Sequence, residues 1–230
     1  MSIISDWQAI INGFDFTYII NLVVGVIPSL ICICIHELSH GYVALRLGDD
    51  TAKIEGRLTL NPLRHLDPVG LVMMLLFHVG WARPVPVKMS NFKNPKRDMA
   101  LTALAGPLSN IITSVIALFI YGLVYLPLYE STVGNYVLIM LQLMASIGIG
   151  LAVFNCIPVP PLDGSKILFS LVSEDTYSKL LKYDRYVGPI MFLLVFSGIL
   201  GKPLSLLVNT IFDKMFVIAQ LGFKLALSLM

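Results

Sequence analysis

Residues 16–35, FTYIINLVVGVIPSLICICI, carry no charged side chain and run straight into His36-Glu37-Leu38-Ser39-His40. At about 1.5 Å per residue, the apolar segment 17–44 is long enough to cross a bilayer, with Pro28 as a candidate kink near its middle. On a helix, residues four apart share a face. The two imidazoles can therefore bind one ion, while Glu37, one step round, reaches the open position beside it. This stretch implies a bundle of membrane helices, with its chemistry inside or just under the membrane.

Composition agrees. Hydrophobic residues make up 57% of the 230-residue chain, only 13% are charged, and the mean hydropathy is +0.82, beyond the range of an ordinary soluble domain. A net charge of +2 gives no footprint for nucleic acid. The length accommodates one helix bundle, so residues 1–230 read as a single domain. Cys32, Cys34 and Cys156 lie in or beside apolar runs, and their odd number argues against a disulfide framework. They read as small core residues, although Cys32, one turn before His36, is a possible soft ligand. The first residues lack the basic start and cleavage site of a signal peptide, so no removed leader is expected.

Five apolar segments can be marked, at 17–44, 68–82, 101–126, about 135–159 and about 186–209. Asn94-Pro95 reads as the cap and first turn of the third helix. The second segment is too short for a regular span. Lys and Arg cluster in 45–64, 83–97 and 166–185 and are missing from 127–134, which places the first three in the cytoplasm and the last outside. Residues 68–82 then lie between two cytoplasmic loops, so they must be re-entrant. Ala52–Leu60 alternates about Glu55-Gly56 and predicts a small surface β-hairpin, with a plain basic loop as the alternative. In 207–230, Asn209, Asp213, Gln220 and Lys224 form one polar stripe, compatible with an interfacial or a buried final helix. The fold class expected is an all-α polytopic membrane protein, with four to five transmembrane helices around a buried site.

A hydrolytic zinc site needs three protein ligands and an open position. Asp163, in Pro160-Pro161-Leu162-Asp163-Gly164, ends an apolar run at the same membrane side as His40, and broken backbone at that depth is tolerated where it lines a protected cavity. An Asp-Gly turn is the plainer reading. His65, Asp67 and His78 compete as third ligand, although Asp67 before Pro68 can simply cap a helix.

The His36–His40 motif together with Leu162-Asp163-Gly164 resembles the site-2 protease family of intramembrane zinc metalloproteases. Gly56-Arg57-Leu58-Thr59-Leu60-Asn61-Pro62, His65-Leu66-Asp67-Pro68-Val69-Gly70, Ala82-Arg83-Pro84-Val85-Pro86-Val87 and Ala105-Gly106-Pro107-Leu108-Ser109-Asn110 are similar to its compact prokaryotic members without PDZ or CBS domains. The likeness covers about residues 17–170. It implies three core helices around one zinc ion held by His36, His40 and Asp163, in the cytosolic half of the cell membrane. It further implies Glu37 as the general base, and cleavage of transmembrane segments of other proteins. Asn110 and Asn155 are uncharged donors beside that site, suited to holding an unwound substrate strand or a developing oxyanion, with helix-to-helix hydrogen bonding as the alternative. The expected partners are a substrate transmembrane segment and the lipid bilayer, not nucleic acid. A metal transporter or channel using the same cluster is the competing function, and an inactive relative acting as a membrane chaperone is a third.

Overall fold

The computed structural model describes residues 16–77, 82–173 and 197–230, with the single positions 176, 193 and 194. In these residues the helices are α1 (Phe16–Arg46), α2 (Thr51–Ile54), α3 (Pro68–Phe77), α4 (Pro95–Leu128), α5 (Thr132–Asn155), α6 (Asp163–Ser170), α7 (Gly201–Met215) and α8 (Val217–Ser228). Four candidate membrane spans result, at Val23–Arg46, Pro95–Leu128, Thr132–Asn155 and Gly201–Ser228. The fold is all-α, as the sequence implies. Helix α1 continues unbroken through the buried Pro28, and the Ser29 hydroxyl donates to the Gly25 carbonyl at 2.9 Å.

Two expectations are modified. The hairpin over Ala52–Leu60 is replaced by the single turn α2. Asp49 accepts hydrogen bonds from the Thr51 N–H and hydroxyl, which starts that turn, and Gly56 at φ 63° ends it. Arg57 N–H then donates to Ala52 O at 2.8 Å, and Gly56 N–H to Lys53 O at 3.0 Å, the reciprocal pair of a glycine helix cap. A glycine between alternating residues serves a hairpin and a helix cap equally well, which is why pattern alone misread it. The last span runs over 201–228 instead of ending near 209, because the helix continues through Asn209 and Asp213. Most of the segment expected at 186–209 lies outside the described residues.

The two ends of the short second segment lie together, as a re-entrant element requires. They meet in an antiparallel bridge between Leu66 and Ala82, and Arg83 N–H donates to His65 O at 2.8 Å. The ten residues of α3 rise only about 15 Å, half a hydrocarbon core. Asp67 caps α3, accepting from the Val69 and Gly70 N–H groups at 2.9 Å.

Helix α4 is the central element and touches α1, α5, α6 and α8. Lipid tails are as apolar as leucine, so the helices associate through close packing and hydrogen bonds instead of hydrophobic burial, and small residues mark their contacts. The Ser114 hydroxyl lies 2.8 Å from Asn110 O and 2.9 Å from Ala145 O, tying α4 to α5 where Gly148 admits it. Farther along, Ala117, Leu118, Ala145 and Ala219 form a core cluster surrounded by Phe212, Phe216 and Tyr121. Here α8 crosses α4 at Gly122 and Gly222.

A methyl group on Gly122 would lie 1.8 Å from Ala219 O, whereas one on Gly150 meets nothing within 4 Å. Gly122→Ala is therefore expected to force α8 outward and lower stability by about 1–3 kcal/mol, with Gly150→Ala near neutral. Thermal unfolding of both variants in detergent checks this; equal midpoints would refute the contact.

Candidate metal centre

Two turns of α1 and the start of α6 bring together the atoms that matter. His36 Nε2 lies 3.0 Å from His40 Nε2, and Asp163 Oδ2 lies 3.1 Å and 3.0 Å from the two. All three side chains are buried, at 6%, 7% and 5% exposure. Two glycines allow this approach. A Cβ on Gly106 would fall 2.5 Å from the His40 ring, so only glycine lets α4 pass the imidazoles. One on Gly164 would meet the carbonyls of Cys156 and Ile157 at 2.4 and 2.5 Å, so only glycine lets the turn fold under Asp163.

Protonation decides what the triangle can hold. The His40 Nδ1–H donates to Thr102 O at 2.7 Å, which leaves Nε2 of the neutral ring as a bare lone pair. The Asn110 amide lies 3.0 Å from His36 Nδ1, and its Oδ1 is an orphaned buried atom. With the oxygen turned inward, His36 Nδ1–H donates to it and Nε2 is bare as well. Two lone pairs and a carboxylate oxygen then converge, an arrangement that a cation stabilises. Ligands at about 2.0–2.1 Å around a tetrahedral zinc ion stand about 3.3–3.4 Å apart, close to the spacing found. The residues fit a zinc ion, and each imidazole carries the backing hydrogen bond that metal-ligating histidines use. Lys166 Nζ donates to the other carboxylate oxygen, Oδ1, at 3.0 Å, which favours the ionised form of Asp163.

Glu37 does not join the triangle. Its Oε2 accepts the Val85 N–H at 2.8 Å, which fixes the carboxylate against the segment Arg83–Val87. The buried Arg57 guanidinium holds the other end of that segment, donating to Arg83 O at 2.7 Å and Pro84 O at 3.3 Å. Asp49, buried among the Thr51, Lys88 and Asn91 donors, ties the far end of the segment to the end of α1. Burial raises the Asp49 carboxyl, but those donors bring it below its ordinary value. A cavity of about 240 Å³ opens over the triangle, lined by Glu37, Pro84, Val85, Val87, Asn155 and the three ligand residues.

The sequence candidates therefore separate. His36, His40 and Asp163 meet, and Glu37 faces the same cavity. Asn155 lines it, with its Nδ2 held by Leu151 O at 3.0 Å. Asn110, expected to hold substrate, is instead fully buried behind His36 and does not line the cavity, a place suited to orienting the His36 ring. His65 is engaged with Thr59 O at 2.7 Å, Asp67 caps α3, and Cys32 donates to Met144 O at 3.4 Å, so none of these joins the cluster. His78 lies outside the described residues. Sequence reasoning missed Arg57, Thr102 and Gly106 as parts of the site. Gly106-Pro107 within an apolar helix was the available signal for the last.

In sequence, the chain is similar to known metalloproteases. The profile of peptidase family M50 matches residues 126–198. The protein of Bacillus subtilis (strain 168) named "Putative zinc metalloprotease YwhC" is 41% identical over 183 residues, 77% of this chain and 81% of that protein. "Putative zinc metalloprotease Rip2" of Mycolicibacterium smegmatis is 26% identical, over 90% of this chain and 80% of that protein. "Zinc metalloprotease MJ0392" of Methanocaldococcus jannaschii is 26% identical, over 79% of this chain and 44% of that protein. No solved structure matches the chain.

Replacing His36, His40 or Asp163 by Ala is expected to abolish stoichiometric zinc in the purified protein. Asn110→Ala should weaken zinc affinity by roughly 10–100-fold, the usual effect of losing a backing hydrogen bond. His65→Gln should retain the metal. Elemental analysis and chelator competition test the set, and full zinc in Asp163→Ala would move the third ligand elsewhere.

Proposed function

Because the chain belongs to peptidase family M50, the site-2 protease family, we propose that it is an intramembrane zinc endopeptidase that cuts transmembrane segments of other membrane proteins. The observation that carries this reading is the convergence of His36, His40 and Asp163 beside Glu37 at one end of four bilayer-length helices. Zinc bound there would polarise the scissile carbonyl and make water a nucleophile near neutral pH. Glu37 accepts the water's proton and returns it to the leaving amine. Neither the cluster nor its relatives favour a metal transporter: the ligands sit at one end of the bundle, and the relatives are named as metalloproteases.

A substrate helix hides its carbonyls in its own hydrogen bonds, so cleavage needs a locally extended stretch whose backbone finds new partners. The Arg83–Val87 segment is suited to supply them. Pro84 and Pro86 carry no N–H and favour extended conformations in the residues before them. The Val87 N–H and the Val85 carbonyl have no partner among the described residues, and both valines line the cavity. A substrate strand adding there lies beside Glu37. Asn155, which lines the same cavity, is suited to hold that strand or the oxyanion.

In a reconstituted cleavage assay, Glu37→Gln should keep zinc and fold but lose activity. Val87→Pro, which deletes one edge donor, should keep zinc and lower kcat/KM roughly tenfold, the worth of about one hydrogen bond. Substantial proteolysis by pure Glu37→Gln protein would overturn the base assignment, and unchanged kcat/KM in Val87→Pro would overturn the strand-addition reading.

Charge distribution supports a site facing the cytoplasm at the cell membrane, since Arg83, Lys88, Lys93, Lys96 and Arg97 flank it while the α4–α5 turn has no Lys or Arg. Cysteines placed at Ser90 and Ser131, both exposed, in a variant lacking the native three should react with an impermeant reagent from opposite faces. Labelling from the same face would rule out this orientation.

A further inference from the structure

The α7–α8 span is the least covered of the four. Its depth can be followed by its neighbours. Leu204 and Leu207 share a cavity with Leu104 and Ile111 near the metal end, Phe212 packs on Ala117, Leu118 and Ala145, and the Phe223 ring lies 6.1 Å from Tyr125 toward the other end. Ala145 sits about midway along α5, so the adjacent Asp213 and Lys214 lie near the middle of the bundle's depth. Both are exposed, and so are Asn209, Gln220 and Lys224. None of the five side chains makes a hydrogen bond or ion pair with a described residue.

Such a face is unsuited to hydrocarbon. A lysine can extend its charge toward the headgroups, but an aspartate is too short to do so, and intramembrane ionisable groups are nearly always paired or turned into protein. The chemistry of the face selects its cover. Asp213 and Lys214 place opposite charges side by side at one depth. The amides of Asn209 and Gln220 each carry donor and acceptor. A two-fold axis along the membrane normal sets Asp213 of one copy against Lys214 of the other and the reverse, and brings the matching amides together. This is the isologous pairing expected of a symmetric dimer. A partner helix with a single charge would leave one member of the pair unmatched.

We propose that the α7–α8 face joins two copies of this chain in parallel through reciprocal Asp213–Lys214 ion pairs. The exposed Leu206, Val217 and Leu221 supply apolar contact around those pairs.

The test uses the full chain in lipid vesicles, with association read by energy transfer between two labelled populations on dilution with lipid. Wild type should associate. Asp213→Lys should lower the associated fraction at least tenfold, and the double swap Asp213→Lys with Lys214→Asp should restore it. Asp213→Asn, a milder change, should give an intermediate loss and keeps the test open if the reversal fails to fold. In a variant without native cysteines, Val217→Cys should form a disulfide-linked dimer. Association unaffected by Asp213→Lys, failure of the double swap to restore it, or a wild type that stays monomeric, as when another segment of the same chain covers the face, would each overturn the proposal. Cleavage activity is not the readout, so this outcome is independent of the function proposed above.

Discussion

Three electron-rich atoms held within 3.1 Å of one another at the end of an apolar bundle are the constraint that the rest of the structure serves. Left alone they repel, and in a membrane there is little water to relieve them. Each is fixed from behind by a hydrogen bond. Thr102 and Asn110 on α4 orient the two imidazoles, and Lys166 on α6 takes the second oxygen of Asp163. Helix α4 can do this only by passing close to the rings, which makes Gly106 as necessary to the site as any ligand. The requirement for a cation and the requirement for a glycine have one cause.

The same economy of side chain extends along α4. Gly106 faces the metal ligands, Ser114 meets Gly148 of α5, and Gly122 meets α8. In lipid such contacts replace the hydrophobic drive that assembles soluble bundles. The helix that orients the ligands is thus also the one against which the other spans register, so a change in packing far along α4 can reach the site through a rigid rod instead of through a loop.

Much of this was legible in the chain. The His36–Glu37–His40 spacing is local, so a helix period is enough to place it, and segment length marked 68–82 as too short for a regular span, in keeping with the ten-residue helix Pro68–Phe77. Asp163 could not be separated from an ordinary Asp-Gly turn by spacing, because its partners are more than 120 residues away; family likeness singled it out. Asn110 was read on the wrong side of the ligand, since sequence gives the helix it occupies but not the direction it faces. Gly56 was read as a hairpin turn because positive φ serves strand and helix ends alike. The apolar run marked at about 186–209 stopped at Asn209, a polar residue that a hydropathy reading treats as a boundary and through which the helix continues to Met215.

The bond from Val85 N–H to Glu37 links two roles that could have been separate. If a substrate adds as a strand along Val85 and Val87, its register is measured from a residue that is itself fixed to Glu37, the proposed general base. A slip of one residue moves the chain about 3.3 Å and turns each carbonyl to the other side of the strand. A slip of two restores the direction but carries the scissile bond beyond the reach of Glu37. The strand edge then fixes which bond is cut, and the cavity walls need only accept the side chains that this register presents. Arg57 holds the Arg83 and Pro84 carbonyls in place, so under the proposed strand addition a residue with no contact to His36, His40 or Asp163 would set the frame from which the cleavage position is counted.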